Sequence, residues 1–329
     1  MAHVEFLASE ELLGREAGSV SERVAALYIA TRLDAAGVRP LAGGRRFQEF
    51  ALPIRFLEGT FQVSLETREG RERRETSRNV FGLVEGAAPD LRNEIVVLGA
   101  HIDHLGVREG KTYRGAEDNA SGVAAVLEVA SLLQASSDLL GRSVLAVFFG
   151  AEEPYMHGSR AFVREPPVEI GRIAAMVNVD MVGRPLADKK ALSAAKALLG
   201  IDGSKALGVV GTKGRASFRR IVEAACARAG LRAFAPEDFP PPLSTLLEEE
   251  TRDRGDHAAF ERAGIPTLFF GSGESDDYHA PTDTPERLDP SLMARRAQAI
   301  YAAVLALSVA SELPAARAVA PASAPAPPK

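Results

Sequence analysis

The chain has 329 residues, of which 46% are hydrophobic and 25% charged, and its formal net charge is −5. These values are ordinary for a globular protein, and the acidic balance argues against a nucleic-acid-binding protein, which needs clustered Lys and Arg. The single cysteine, Cys226, excludes an intrachain disulfide and a metal site made of cysteines, so any metal must bind to His, Asp and Glu.

The first 40 residues predict two helices. The second runs from about Ser19 to Ala36 and ends at Gly37, a residue type that is common just after a helix. Two short strand patterns follow, at Thr60–Thr67 and Asn79–Val84. The first of them alternates apolar and polar residues, as expected of a half-buried strand near the edge of a sheet.

From Glu94 onward the strand patterns become continuous apolar runs, which indicate strands buried on both faces. They alternate with helical patterns, and this alternation predicts an α/β fold of three layers (αβα), with helices on both faces of a mostly parallel mixed sheet. The predicted strands are Ile95–Gly99, Val144–Phe149, Ile173–Val177 and Thr267–Phe270, and the predicted helices are Ser121–Gln134, Phe218–Ala229 and Pro290–Leu307.

The sequence shows no repeat period and no linker that would separate two cores. We therefore predict a single domain from residue 1 to residue 315. Residues 316–329 are rich in Ala and Pro, a composition that predicts a disordered tail.

Three of the predicted buried strands are followed at once by residue types that bind metals. His101 and Asp103 follow the first strand, Glu152 and Glu153 follow the second, and Asp180 follows the third. Ligands of open α/β sheets bind beyond the carboxyl ends of the strands. We therefore expect these side chains to meet at one site.

Two further segments supply the same residue types. Asp118 lies just before a predicted helix, and His279 follows the last buried strand. With His101, Glu153 and Asp180 they make a set of two imidazoles and three carboxylates. Such a set suits a pair of zinc ions, with one carboxylate shared and two further ligands on each metal.

Five segments carry a resemblance to a known family: His101-Ile102-Asp103-His104, Gly115–Gly122, Glu152-Glu153, Asn178–Gly183 and Tyr278–Thr284. In order and spacing they resemble the M28 family of zinc aminopeptidases, and the likeness covers nearly the whole chain. The resemblance implies a zinc-exopeptidase-like fold. It also implies an enzyme that removes N-terminal residues from peptides with a water activated by two zinc ions.

The resemblance assigns a role to each of the candidate residues. It implies that one zinc binds His101, Asp118 and Asp180, and that the other binds Asp118, Glu153 and His279. It further implies that Glu152 is the general base and that Asp103 orients His101. Family members also have a cis peptide bond after the shared aspartate, which here joins Asp118 to Asn119.

Three more residues are candidates for substrate binding. Tyr278 is expected to line the pocket beside His279. Asp256 and His257 belong to a segment that resembles the family element Ser-Asp-His-x-x-Phe, with Gly255 in place of the serine. The Pro-rich segment Ala235–Thr251 is either a wall or lid of the pocket or an inert surface loop.

Other functions on the same scaffold remain open. A glutaminyl cyclase-like acyltransferase resembles this chain in fold and metal-binding segments, but these enzymes use tryptophans around the substrate and this chain has none. A non-catalytic binding module is a second alternative, although such relatives lose metal ligands that are present here. A carboxypeptidase or dipeptidase of the wider clan is a third.

The expected partners are peptide substrates with a free N-terminus. We expect neither nucleic acid nor a transmembrane segment, since no stretch approaches about 20 apolar residues. No protease-associated insert is expected between the strand that ends near Val84 and the His101 strand. Because related enzymes are often exported, we expect a periplasmic or secreted protein whose leader has been removed, with a cytoplasmic protein as the alternative.

Overall fold

The computed structural model describes residues 1–52, 76–190 and 193–314, without the side chains of residues 194, 195 and 198. The predicted strand at Thr60–Thr67 and the predicted tail at residues 316–329 lie outside these described residues.

The strands and helices that the periodicity predicts within the described residues are present, and further short strands and helices occur between them. The strands are β1 (Phe47–Ala51), β2 (Thr76–Val84), β3 (Ile95–His101), β4 (Gly106–Arg108), β5 (Lys111–Tyr113), β6 (Ser143–Phe149), β7 (Ile173–Asp180), β8 (Ala206–Val210), β9 (Arg232–Phe234) and β10 (Thr267–Gly271). The helices are α1 (Ala2–Leu7), α2 (Val20–Ala35), α3 (Gly122–Ala135), α4 (His157–Arg164), α5 (Ser193–Leu198), α6 (Ala216–Arg228), α7 (Leu243–Arg252), α8 (His257–Arg262) and α9 (Pro290–Val309).

Eight of these strands form one sheet, in the order β1-β2-β6-β3-β7-β10-β8-β9. Its central strands β6, β3, β7 and β10 are parallel to one another. The antiparallel pairings lie to either side, between β1 and β2, β2 and β6, and β10 and β8. The predicted αβα fold with a mostly parallel mixed sheet is confirmed.

Alternate residues of the central strands enter two different cores, which explains their continuous apolar sequence. Val144, Ala146 and Phe148 of β6 pack with helices α2, α3, α6 and α9 on one face. Leu145 and Val147 point the other way, toward Phe162 of α4 and Phe260 of α8. Because side chains alternate along a strand, a strand covered on both faces must be apolar at every position.

Helix α7 is a difference between the expectation and the structure. The sequence analysis treats Ala235–Thr251 as a loop, whereas Leu243–Arg252 is helical. The three prolines Pro240, Pro241 and Pro242 directly precede the helix, where missing amide hydrogens cost little, because the first amides of a helix have no partner within it.

Helix α9 is, by length and composition alone, able to cross a membrane, which the sequence analysis did not anticipate. Half of its most apolar window is buried inside the molecule. Leu292, Ile300 and Leu307 belong to the core that α9 shares with α3 and α6. A core helix passes the same length and composition test, so this finding is weak support for a membrane span.

Candidate metal centre

The carboxyl ends of the parallel strands lie along one edge of the sheet. His101 ends β3 and Asp180 ends β7, while Glu152 and Glu153 follow β6 after two residues. Their strands are neighbours and in register, since His101 pairs with Phe149 across β3 and β6. The sheet therefore brings these side chains together.

The shared aspartate lies in a tight turn before helix α3. This π-helical turn, Ala116–Ser121, includes a cis peptide bond between Asp118 and Asn119, as the resemblance implies. Gly115 enters the turn with a φ of 59°, and a Cβ atom there would lie 2.3 Å from the carbonyl oxygen of Asp118. Only glycine therefore fits at the entrance.

Neighbouring side chains hold this turn in place. The carboxylate of Asp283 accepts the backbone amides of Glu117 at 2.8 Å and of Asp118 at 3.1 Å. The side-chain oxygen of Asn119 accepts the amides of Gly122 and of Met181, the residue after β7. The turn is thus tied to the end of the strand that supplies Asp180.

Each carboxylate oxygen of Asp118 faces a different histidine. Oδ1 lies 3.2 Å from Nε2 of His101, and Oδ2 lies 3.2 Å from Nε2 of His279. Asp180 Oδ1 lies 3.4 Å from the same atom of His101, and Glu153 Oε2 lies 3.2 Å from the same atom of His279. Two groups of potential metal ligands therefore share Asp118.

Two buried atoms of these groups lack ordinary hydrogen-bond partners. Oδ1 of Asp180 and Nε2 of His279 are buried and have no partner among the described residues. On the other ring nitrogen of His101, Nδ1 lies 3.2 Å from the carbonyl oxygen of Asp103, to which it can donate, and this leaves Nε2 free as an acceptor. A cation between such atoms satisfies all of them, so the residues fit a metal.

His104 belongs to the same cluster. Its Nδ1 lies 2.8 Å from Oε1 of Glu153 and 3.7 Å from Oδ2 of Asp118. These three residues form a second group able to hold a metal, beside the group of His101, Asp118 and Asp180. The sequence analysis quotes His104 within a motif but assigns it no role.

The electrostatics of the cluster favour positive charge. Burial, the strongest single influence, disfavours a charged imidazole at His279, yet Asp118 and Glu153 outweigh it and raise the pKa of His279 to about 10. Burial also disfavours a charged Glu153, but His104 and His279 outweigh it and lower the pKa of Glu153 to about 2. Buried carboxylates at this density require cations to compensate them.

Glu152 behaves differently from its neighbour. Burial raises its pKa well above the ordinary value, and the carboxylates of Asp256 and Glu153 raise it further. Glu152 lines the same cavity as the candidate ligands. A carboxylate with a raised pKa next to a metal site has the properties of a general base.

The carboxylate of Asp103 lies 3.9 Å from Nδ1 of His101. Its two oxygens accept the backbone amides of Glu152 at 2.8 Å and of Glu153 at 3.2 Å. The nearer contact to His101 comes from the carbonyl oxygen of Asp103. Asp103 therefore ties the His101 strand to the turn that bears both glutamates.

The sequence analysis missed three buried charged residues that support the site. Glu117 accepts the amides of Gly183 and Arg184 and the hydroxyl of Ser272, and so joins the Asp118 turn to the segments after β7 and β10. Arg15 donates hydrogen bonds to the backbone carbonyls of Ile102 and Gly115, near the two ends of the segment between His101 and Asp118. The carboxylate of Glu22 lies against Gly150, two residues before Glu152. The sequence does not single these residues out, because a charged residue is normally exposed and only the folded structure shows that these three are buried.

A cavity of about 410 Å³ opens over the candidate metal ligands. Tyr278 lines it, stacked on the ring of His279 with 3.9 Å between centroids. Leu247 and Thr251 line it from the predicted Pro-rich segment. Asp256 and His257 are buried and do not line the cavity. The ring of His257 lies 5.1 Å from the ring of Phe269, measured between centroids. Gly255, from the same segment, does line the cavity.

The profile of the family described as peptidase family M28 matches residues 79–304, which is more than half of the chain. An aminopeptidase of Pseudomonas aeruginosa is 34% identical over 184 residues, or 55% of this chain and 29% of that protein. The probable lipoprotein aminopeptidase LpqL of Mycobacterium tuberculosis is 30% identical over 222 residues, or 59% of this chain and 39% of that protein. The chain thus spans less than half the length of either relative.

The fold also resembles a solved structure. BSAP, a zinc aminopeptidase from Bacillus subtilis, superposes with a TM-score of 0.66 over 92% of this chain and 93% of that one, at 17% identity. A likeness at that identity shows a shared fold.

Proposed function

The chain belongs to peptidase family M28, and from that membership we propose that it is a zinc-dependent aminopeptidase, which removes N-terminal residues from peptides and holds two metal ions. The observation that carries the proposal is the position of Asp118, whose two oxygens face Nε2 of His101 and Nε2 of His279 at 3.2 Å each. A carboxylate between two groups of ligands is a suitable bridge for a pair of zinc ions.

The residues divide between the two ions as follows. His101 and Asp180 would complete one site, Glu153 and His279 the other, and Asp118 would belong to both. When bound, the ions supply a Lewis acid for the scissile carbonyl and lower the pKa of a water molecule. The fully buried imidazole of His104, 2.8 Å from Glu153, would hold that carboxylate in position.

Glu152 would carry the proton. As the oxygen of water forms a bond to the scissile carbonyl carbon, Glu152 accepts the proton that water loses. As the carbon–nitrogen bond breaks, Glu152 donates that proton to the leaving amine. The raised pKa of Glu152 suits both transfers near neutral pH.

Asp103 and Tyr278 would assist without carrying the proton. Asp103 would keep His101 and the Glu152 turn in a fixed relation through its carbonyl and carboxylate oxygens. The hydroxyl of Tyr278, 3.4 Å from Arg254, would donate a hydrogen bond to the tetrahedral intermediate. Full activity of Tyr278→Phe would remove that role from Tyr278.

The partners that follow are peptides with a free N-terminus. We also propose that the protein is exported, with support from the relative that is named as a lipoprotein. Recovery of the natural protein from the cytoplasmic fraction alone would contradict export.

Hydrolysis of a panel of aminoacyl-p-nitroanilides, each in free and N-acetylated form, tests the activity. We expect the zinc-loaded protein to release nitroaniline from the free-amine substrates only, and a chelator to abolish the release. Equal release from the acetylated substrates would contradict an aminopeptidase. No release from the panel, together with cyclisation of glutaminyl peptides, would favour the cyclase.

A further inference from the structure

The turn after the two glutamates contains a tyrosine in an unfavourable backbone conformation. Tyr155 has a φ of 80°, and the next residue, Met156, has a φ of 55°. This left-handed region favours glycine, since the Cβ atom of other residues is crowded there. Two adjacent non-glycine residues in it are unusual for a turn that is free to relax.

Hydrogen bonds hold the turn in this shape. The amide of Met156 donates to the carbonyl of Glu152 at 2.6 Å, and the amide of His157 donates to the carbonyl of Ala151 at 2.8 Å. Asp103 fixes the amides of Glu152 and Glu153 from the other side. The position of Tyr155 is therefore determined by the same contacts that position Glu152.

The ring of Tyr155 is presented to the cavity. Tyr155 is 42% exposed and lines the cavity over the metal-ligating groups, as does the half-buried Met156. Strained residues held rigidly by their surroundings cluster at ligand-binding positions. An exposed aromatic ring on such a rigidly held residue is suited to bind an apolar group of a ligand.

Less exposed residues from two other segments also line the cavity. Phe269 of β10 and Met181 after β7 line it close to Asp180, and both are half-buried. Gly271 leaves room for the ring of Phe269, because a Cβ atom at Gly271 would lie 2.7 Å from Cε1 of that ring. In a peptidase that accepts only the N-terminal residue, we expect the less exposed lining next to Asp180 to receive that residue and the more exposed lining to contact the rest of the peptide.

Tyr155 is exposed, whereas Phe269 and Met181 are half-buried, and from this contrast we infer that Tyr155, with Met156 beside it, is the binding surface for the side chain of the second residue of the substrate. An aromatic ring next to a thioether favours aromatic and large apolar side chains. The inference rests on the proposed aminopeptidase function and goes beyond it, because it names the substrate class at the position after the scissile bond.

The test uses two dipeptide amides with the same N-terminal residue, the one that the wild type releases fastest, followed by Phe or by Gly. The quantity measured is the ratio of their kcat/KM values. We expect the wild type to prefer the Phe substrate. Tyr155→Ala should lower the ratio about three- to tenfold, which is the range that an aromatic contact supplies. Tyr155→Phe should keep the wild-type ratio. Leu139→Ala, an exposed residue before the opposite end of β6, is the matched control.

A further variant separates contact from folding. Tyr155→Gly suits the left-handed backbone, so we expect it to lower the ratio as Tyr155→Ala does but to unfold at a higher Tm than Tyr155→Ala. An unchanged ratio in both variants, while both amides are hydrolysed, would overturn the inference and leave the proposed function intact. A wild type that releases no N-terminal residue from any substrate would overturn the proposed function, and this inference with it.

Discussion

At the scale of single residues, the proposed chemistry depends on the difference between two adjacent glutamates. Glu153 lies against two histidines, which lower its pKa to about 2 against the effect of burial, so it is a carboxylate at every working pH. Burial raises the pKa of Glu152 well above its ordinary value, and the opposing effect of His101 is smaller. One of the pair is therefore suited to bind a metal and the other to exchange a proton.

Substitution of Glu152 tests this division. We expect Glu152→Gln to lower kcat by about 10²- to 10⁴-fold, the usual contribution of general acid–base catalysis, while the bound zinc and Tm stay as in the wild type. Glu165→Gln, at an exposed glutamate just after α4, is the matched control. A Glu152→Gln enzyme that keeps more than a tenth of the wild-type kcat would show that another group moves the proton.

The residues found from the sequence are those whose type and position are both unusual. Asp180 is a carboxylate directly after an apolar strand, and it stands out for that reason. Glu117 has no such context, and only the fold shows that it accepts two amides and a hydroxyl at the Asp118 turn. The catalytic, metal and substrate roles assigned from the resemblance stay predictions.

At the scale of elements, helix α2 supports the site through a buried carboxylate. Glu22 is fully buried and accepts the amide of Gly18 at 2.7 Å and the hydroxyl of Ser77 at 2.5 Å. It lies against Gly150, where a Cβ atom would be 2.7 Å from its Oε1. Burial, with a further contribution from Asp103, raises the pKa of Glu22 to about 8 from 4.5.

This raised pKa predicts a pH-dependent stability. Below pH 4.5 both the folded and the unfolded chain carry the proton on Glu22, and between pH 4.5 and about 8 only the folded chain does. The contribution of this group to the free energy of unfolding is therefore fully present at low pH and is lost as pH rises through about 8.

The comparison of wild type and Glu22→Gln isolates this effect. A glutamine stays neutral at every pH, and the hydroxyl of Ser77 can accept from it. We expect the free energy of unfolding to fall between pH 6 and pH 8 by about 2 kcal/mol more in the wild type than in Glu22→Gln. Glu5→Gln, at an exposed residue of α1, serves as control. Parallel pH profiles for wild type and Glu22→Gln would show that Glu22 is ionised when buried.

Strands and helices with a clear pattern of apolar residues were predictable from the sequence, and those that depend on their surroundings in the fold were not. Strands β3, β6, β7 and β10 are apolar at nearly every position because both their faces are covered. Helix α7 has Leu243, Leu246 and Leu247 at helical spacing but no buried residue among its ten, and the prolines before it suggested a loop.

At the scale of the whole molecule, the parallel sheet determines where the candidate site lies. Four parallel strands direct their carboxyl ends to one edge, where His101, Asp180 and Glu153 lie, and the turn before α3 and the segment after β10 add Asp118 and His279 as further candidate metal ligands. The class of fold and its layers follow from the alternation of apolar runs and helices in the sequence. The positions of the flanking strands β1, β8 and β9 do not, because strands of three to five residues carry too little periodicity to be recognised.

The two-metal account depends on the number of zinc ions that the site holds. The most direct measurement strips the protein with a chelator and titrates it with zinc, while bound zinc and the hydrolysis of a free-amine anilide are followed in the same samples. We predict that two ions bind per chain and that activity reaches its plateau when both are bound. Full activity at one bound ion per chain, or without zinc, would contradict a site in which Asp118 joins two metals.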